Sequence, residues 1–140
     1  MVLVRVDFHL YVGHLPSIIW RAGANQPQPT NRSCVDDDMH AVVLGDSPVR
    51  IWSLTPAERI ERQLRSENID LWRGGLEAMP AKETVLLLRG DCLYDARVIR
   101  GLASARHATL EVDVAGRSLP VAAHVTADQA PSVGELLLGR

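Results

Sequence analysis

Apolar and polar residues alternate from Val4 to Val12, which predicts a strand. The alternation is then lost until His40, in a stretch rich in Gly, Asn, Gln, Pro and Asp that is typical of loops. A sharp change of pattern follows, and short apolar runs begin. We therefore expect residues 1–40 to be an extension of doubtful order or a non-native start, and residues 41–140 to hold the organised domain.

Strand and helix patterns alternate over the rest of the chain. Apolar runs predict strands at residues 41–44, 69–72 and 84–89. Helical spacing predicts helices at residues 56–67 and 95–104, and a third at 127–138 that is broken at Gly134. Two alternating segments around a Gly-containing turn, at 109–114 and 119–125, predict a hairpin. This order predicts an α/β fold in which helices flank a mostly parallel sheet, with a hairpin towards the carboxyl terminus.

Capping residues mark where two of these helices begin. Thr55 is placed to accept a hydrogen bond from the backbone of Glu58, whose side chain can return to Thr55, and Pro56 suits the first helical position. Asp95 is placed to cap the helix that follows it. Both helices are therefore predicted to start shortly after a strand ends.

Composition and charge exclude several functional classes. Hydrophobic residues make up 46% of the chain and charged residues 23%, a balance typical of soluble domains. No apolar stretch approaches the ~20 residues of a membrane-spanning helix. The net charge of −2 argues against a nucleic-acid partner bound through a basic field. No secretory signal is evident at the N-terminus. Cys34 and Cys92 lie far apart, so no disulfide framework is indicated, and we expect a cytoplasmic protein.

Two predicted strands end in Gly-Asp, and ligands bind at the carboxyl ends of such strands. Asp91 follows the strand at 84–89, and its carboxylate could hold Mg²⁺ against phosphate oxygens. Gly90 beside it would let a ligand approach the backbone closely. The alternative is a turn aspartate that caps the next helix.

The other Gly-Asp pair opens a loop from Gly45 to Thr55. A loop between a strand and a helix can present backbone N–H groups to phosphate, and Arg50 can add a bidentate contact. However, Pro48 removes one donor, and the loop is neither a Walker motif nor a dinucleotide fingerprint. The alternative is a connecting loop in which Trp52 packs on the sheet.

Three segments in this order resemble a known family. They read AVVLGDSPVRIWSLTPAERIERQLRSENI at residues 41–69, VLLLRGDCLYDARVIRGLA at 85–103 and ATLEVDVAGRSLPVAAHV at 108–125. Together they resemble the nucleotidyltransferase-like domain found at the N-terminus of some CDP-alcohol phosphatidyltransferase family proteins. The resemblance covers residues 41–138.

The resemblance implies a Rossmann-like nucleotidyltransferase fold. Relatives with active domains join CTP to inositol phosphate with Mg²⁺, and a membrane-embedded partner domain then transfers the phospho-alcohol group to a lipid. The implied ligands here are a CTP-like nucleotide and a polyol or sugar phosphate, and the implied cofactor is Mg²⁺. Contact with a membrane is implied only through a C-terminal transferase domain that is missing here. The implied nucleotide-binding residues are Gly45, Asp46, Ser47 and Arg50. Asp91 is the implied metal ligand, and no catalytic residue is assigned.

The first loop departs from the superfamily pattern. Asp46 and Pro48 stand where that pattern has glycines, and Arg59-Ile60 stands where it has Pro-Lys. A missing lysine removes positive charge from the transition state, an effect of typically ~10²–10³ in rate. Domains of this kind are also longer, so we expect residues 41–140 to be a fragment. The alternative function is a non-catalytic interaction or regulatory domain for a membrane-embedded transferase partner, and a flavodoxin-like binding domain is a third hypothesis.

Overall fold

The computed structural model describes residues 2–3, 21–22, 39–80 and 83–139. The strands are β1 Val2–Leu3, β2 Arg21–Ala22, β3 Met39–Leu44, β4 Asp70–Leu71, β5 Thr84–Arg89, β6 Cys92–Leu93, β7 Ala108–Val114 and β8 Arg117–Thr126. The α-helices are α1 Pro56–Ser66, α2 Ala96–Ser104 and α3 Ala130–Leu137, and a 3₁₀ helix spans Leu76–Ala78. The strand predicted at residues 4–12 and most of the loop predicted at 13–40 lie outside the described residues.

The main sheet has the strand order β2-β7-β8-β5-β3-β4, and β1 pairs separately with β6. β3 is parallel to both β4 and β5, whereas β8 is antiparallel to β5, β7 to β8 and β2 to β7. The predicted α/β class and the predicted hairpin are therefore confirmed. The prediction of a mostly parallel sheet is corrected to a mixed sheet, because β8 lies between β5 and β7 and runs antiparallel to both.

Helices cover both faces of the sheet. On one face, Leu86 and Leu88 of β5 pack in a buried cluster with apolar side chains of α1 and α2, which include Ile60, Leu64, Val98, Ile99 and Leu102. On the other face, Val85 and Leu87 pack with Ala130 and Leu137 of α3. The apolar run of β5 is therefore explained by burial on both faces, as expected for a central strand.

The predicted helix starts are present. Thr55 Oγ1 accepts a hydrogen bond from the Glu58 backbone at 3.2 Å, and Glu58 Oε2 accepts one from the Thr55 backbone at 2.8 Å. Asp95 Oδ1 accepts a hydrogen bond from the Arg97 backbone at 2.8 Å at the start of α2. These contacts satisfy N–H groups that have no partner within the helix, which fixes where each helix begins.

The third helix differs from its prediction. α3 continues through Gly134, where a break was predicted. A Cβ atom at Gly134 would lie 3.0 Å from Leu76 Cδ1, so the missing side chain lets α3 approach the 3₁₀ helix closely. Tertiary packing therefore outweighs the low helix propensity of glycine. Among the described helices, none has the length and apolarity needed to cross a membrane.

Candidate functional site

The carboxyl ends of β3 and β5 meet backbone to backbone. Leu44 is opposite Arg89 in the strand register, and the Gly90 N–H donates to the Leu44 carbonyl at 2.7 Å. A Cβ atom on Gly90 would lie 2.3 Å from the Gly45 carbonyl oxygen. The space at Gly90, predicted to admit a ligand, is therefore taken by the backbone of Gly45. The two Gly-Asp segments are nevertheless brought together at this point.

The strand connections diverge at this place. After β3 the chain passes through α1 to β4, on one side of β3. After β5 it passes through α2 to the β7–β8 hairpin, on the other side. In open α/β sheets, a crevice forms outside the carboxyl ends of neighbouring strands whose connections lead in opposite directions, and ligands bind there. Gly45, Asp46 and Asp91 lie at these two strand ends, and we use the name β3–β5 crevice for the surface there.

Asp91 forms a bidentate ion pair with Arg89. Arg89 Nε donates to Oδ1 at 2.9 Å and Nη2 donates to Oδ2 at 2.6 Å. The guanidinium holds the pKa of Asp91 below its usual value, and the carboxylate in turn raises the pKa of Arg89. The Arg89 side chain is 26% exposed and the Asp91 side chain 40% exposed. The carboxylate is thus ionised, neutralised within the chain and still reachable from solvent.

A divalent cation does not fit this donor set. Mg²⁺ needs oxygen ligands in octahedral geometry, whereas both Asp91 oxygens accept hydrogen bonds from Arg89. Within residues 39–80 and 83–139, no group of three His, Cys, Asp or Glu side chains is arranged to hold a metal ion. The magnesium site expected at Asp91 remains a prediction that the surrounding geometry does not favour.

Two buried side chains support the end of β5. Tyr94 Oη donates to the Val121 carbonyl at 2.6 Å and accepts from the Arg89 backbone at 3.0 Å, and burial raises the pKa of its hydroxyl. Cys92 is 1% exposed, and burial raises the pKa of its thiol to about 11. The thiol is therefore protonated at neutral pH, and Cys92 packs as a small buried hydrophobic residue.

The predicted phosphate-binding loop is held by its own side chains. Asp46 Oδ1 accepts a hydrogen bond from the Ser47 backbone at 2.7 Å, and Ser47 Oγ accepts one from the Val49 backbone at 3.4 Å. Two N–H groups that a phosphate would need are therefore directed at protein oxygens. A ligand that uses them must displace these contacts.

Arg50 contacts its own loop. Its Nη1 donates to the Ser53 carbonyl at 2.7 Å, and Nη2 lies 3.9 Å from Glu58 Oε1. The side chain is 61% exposed, so these contacts are solvent-screened. The bidentate phosphate contact predicted for Arg50 stays a prediction, and its formation requires the guanidinium to leave Ser53.

Trp52 lies at the tip of a two-residue turn. Ile51 and Leu54 exchange backbone hydrogen bonds at 2.8 and 3.3 Å, and Trp52 and Ser53 both have positive φ values, 48° and 69°. The Arg59 guanidinium lies 5.0 Å from the Trp52 ring centroid, yet the indole is 84% exposed. The prediction that Trp52 packs on the sheet is wrong, because the turn points it outward and offers it only a cation–π contact.

A cavity of about 400 Å³ lies away from this crevice, beside α1 and β4. Charged side chains contribute much of its lining, among them Glu61, Arg65, Asp70 and Arg73. No sequence motif pointed to it. It provides a second location against which binding at the β3–β5 crevice can be tested.

Comparison with protein-family models finds no match, and neither the curated proteins nor the solved structures give a significant match. A functional assignment therefore depends on the geometry of the chain itself. That geometry brings two predicted segments together and adds Arg89, which the sequence analysis missed. The available signal was its position two residues before Asp91, across a Gly turn.

Proposed function

We propose that the chain is a Rossmann-like, nucleotidyltransferase-like domain that binds the phosphates of a nucleotide at the β3–β5 crevice. One observation carries the proposal: the two Gly-Asp segments of the family resemblance meet at the point where the strand connections diverge. The nucleotide is CTP-like, and the second ligand is a polyol or sugar phosphate of a phospholipid-synthesis reaction.

Each of the predicted nucleotide-binding residues takes a part in this proposal. The backbone from Gly45 to Ser47 lines the phosphates, with Ser47 N–H turning from Asp46 to the ligand. Arg50 gives up the Ser53 carbonyl and forms a charge-assisted contact to phosphate. The loop lacks the glycines and the lysine of active relatives, so we propose that nucleotidyl transfer is slow.

Isothermal titration calorimetry with CTP tests the proposal on the full chain. We expect CTP to bind, and Arg50→Gln to weaken binding by about tenfold because one charge-assisted contact is lost. Arg73→Gln is the matched control, since Arg73 forms an exposed ion pair with Glu61 beside the α1–β4 cavity. Absence of CTP binding to the unaltered chain, or equal loss in both variants, would overturn the proposal.

We propose a second candidate, the non-catalytic interaction domain, on the exposure of Trp52. A tryptophan that is 84% exposed on a turn with positive φ values is a costly feature for a surface that contacts only water. Exposed aromatic anchors supply much of the energy of protein interfaces. The partner in this case is a membrane-embedded CDP-alcohol phosphatidyltransferase.

This second candidate is tested with the transferase in detergent micelles. Trp52→Ala is expected to weaken association with the full chain by about tenfold or more, whereas Leu136→Ala, a 57% exposed side chain on α3, leaves it unchanged. Equal affinity of the Trp52→Ala variant and the unaltered chain would rule this candidate out.

A further inference from the structure

We infer that Arg89 is a built-in cation of the β3–β5 crevice, so that the site takes a nucleotide's phosphates without a divalent metal ion. The inference rests on the proposed function and adds which charge meets the phosphates there. Asp91, expected to hold Mg²⁺, instead positions Arg89.

The position of Arg89 is fixed on two sides. Nε and Nη2 donate to the two Asp91 oxygens at 2.9 and 2.6 Å, a planar fork that sets the plane of the guanidinium. The backbone N–H of Arg89 donates to Tyr94 Oη at 3.0 Å, which anchors the end of β5. The guanidinium is therefore preorganised before any ligand arrives.

One edge of the guanidinium is open to a ligand. With Nε and Nη2 engaged, Nη1 has no hydrogen-bond partner among the residues that the structure describes. The Arg89 side chain is 26% exposed. A phosphate oxygen can therefore approach Nη1 while the pair with Asp91 stays intact.

The same geometry opposes a metal ion. A cation bound to Asp91 would have to displace at least one Arg89 N–H and would then lie beside a second positive charge. The thiol of Cys92, 3.5 Å from Oδ1, offers only a protonated sulfur to a hard cation. Through Nη1, Arg89 can offer the phosphates a charge-assisted hydrogen bond that needs no metal ion at Asp91.

The first arm of the test is CTP calorimetry on the full chain in excess EDTA and in millimolar Mg²⁺. We expect the two dissociation constants to agree within about twofold. A loss of about tenfold or more in EDTA would overturn the inference while leaving the proposed function intact.

Three variants test whether Arg89 supplies the charged contact to the phosphates. Arg89→Gln is expected to weaken CTP binding in EDTA by about tenfold, and Arg89→Lys, which keeps the charge without the fork, to weaken it less. Arg97→Gln is the matched control, because Arg97 forms the same bidentate pair with Asp95 two residues away. Equal affinity of Arg89→Gln and the unaltered chain would overturn the inference, and circular dichroism checks that each variant folds.

A second arm needs no nucleotide. Mn²⁺ is added to the ¹⁵N-labelled full chain, and paramagnetic broadening is measured at the amides of Gly90, Asp91 and Cys92. We expect no selective broadening in the unaltered chain and detectable broadening once Arg89→Gln exposes the carboxylate. Selective broadening in the unaltered chain would overturn the inference. If CTP does not bind at all, the proposed function fails, and this arm still decides whether Asp91 takes a cation.

Discussion

Gly90 packs against the backbone of Gly45 so tightly that a Cβ atom at Gly90 would lie 2.3 Å from the Gly45 carbonyl oxygen. The hydrogen bond from Gly90 N–H to the Leu44 carbonyl, 2.7 Å long, holds the two segments at this distance. The fold therefore requires glycine at position 90 whether or not a ligand binds nearby. It joins the ends of β3 and β5 and sets the shape of the crevice between them.

Gly90→Ala is expected to destabilise the fold by about 1–3 kcal/mol, because the added methyl group meets a backbone oxygen and Val43 Cγ1. Gly75→Ala is the control. Nothing lies within 4 Å of a Cβ at Gly75, and its φ of −65° suits alanine, so its effect should stay within about 0.5 kcal/mol. Urea unfolding measures both variants, and equal midpoints would contradict the close contact.

Tyr94→Phe is expected to cost about 1–3 kcal/mol, because it removes a buried hydroxyl that bonds both the Val121 carbonyl and the Arg89 backbone. Ser104→Ala also deletes a hydroxyl, but that hydroxyl is exposed on α2, so the change should stay within about 0.5 kcal/mol. The free energy of unfolding is compared for the two variants. A Tyr94→Phe cost no larger than that of Ser104→Ala would show that the hydroxyl does not support the end of β5.

His124 should make stability fall on mild acidification. The ring is buried, its Nδ1 lies 3.0 Å from the Leu102 carbonyl, and Nε2 has no partner among the described residues. Burial lowers the pKa of His124 below 6.5, so the unfolded chain takes up a proton before the folded chain does. Stability is therefore retained above pH 6.5 and falls as the pH drops below that value, by up to about 1.4 kcal/mol per pH unit.

His124→Gln is the comparison for this effect, since Gln keeps a donor for the Leu102 carbonyl and does not titrate. Free energies of unfolding are measured between pH 7.5 and 5, above the range in which Asp91, with its lowered pKa, changes charge. The slope should be shallower in the variant. Parallel pH dependences for the two proteins would show that His124 is not the group responsible.

Much of the fold could be predicted because local patterns and tertiary packing agree. The capping pattern at Thr55 predicts a helix start that the structure contains, and the apolar run of β5 predicts a buried strand that the structure also contains. Gly134 is the exception, since its position against Leu76 is a tertiary relationship that a helix-propensity argument cannot contain. The mixed sheet has the same origin, because strand order follows from long-range pairing.

The candidate site was harder to predict. Proximity of the two Gly-Asp segments followed from the rule that parallel strands end at one edge of a sheet. The pairing of Asp91 with Arg89 did not, because a bidentate contact depends on the backbone conformation through Gly90, which the sequence pattern does not specify. The outward direction of Trp52 likewise depends on positive φ values at Trp52 and Ser53, and neither residue type predicts a positive φ.

Binding at the β3–β5 crevice is tested most directly by titrating CTP into the ¹⁵N-labelled full chain and mapping the amide shifts. We expect the largest shifts in residues 45–50 and 89–91, with little change in the lining of the cavity beside α1 and β4. Shifts concentrated at Glu61, Arg65 and Arg73, or no shifts at saturating CTP, would contradict a nucleotide site between β3 and β5.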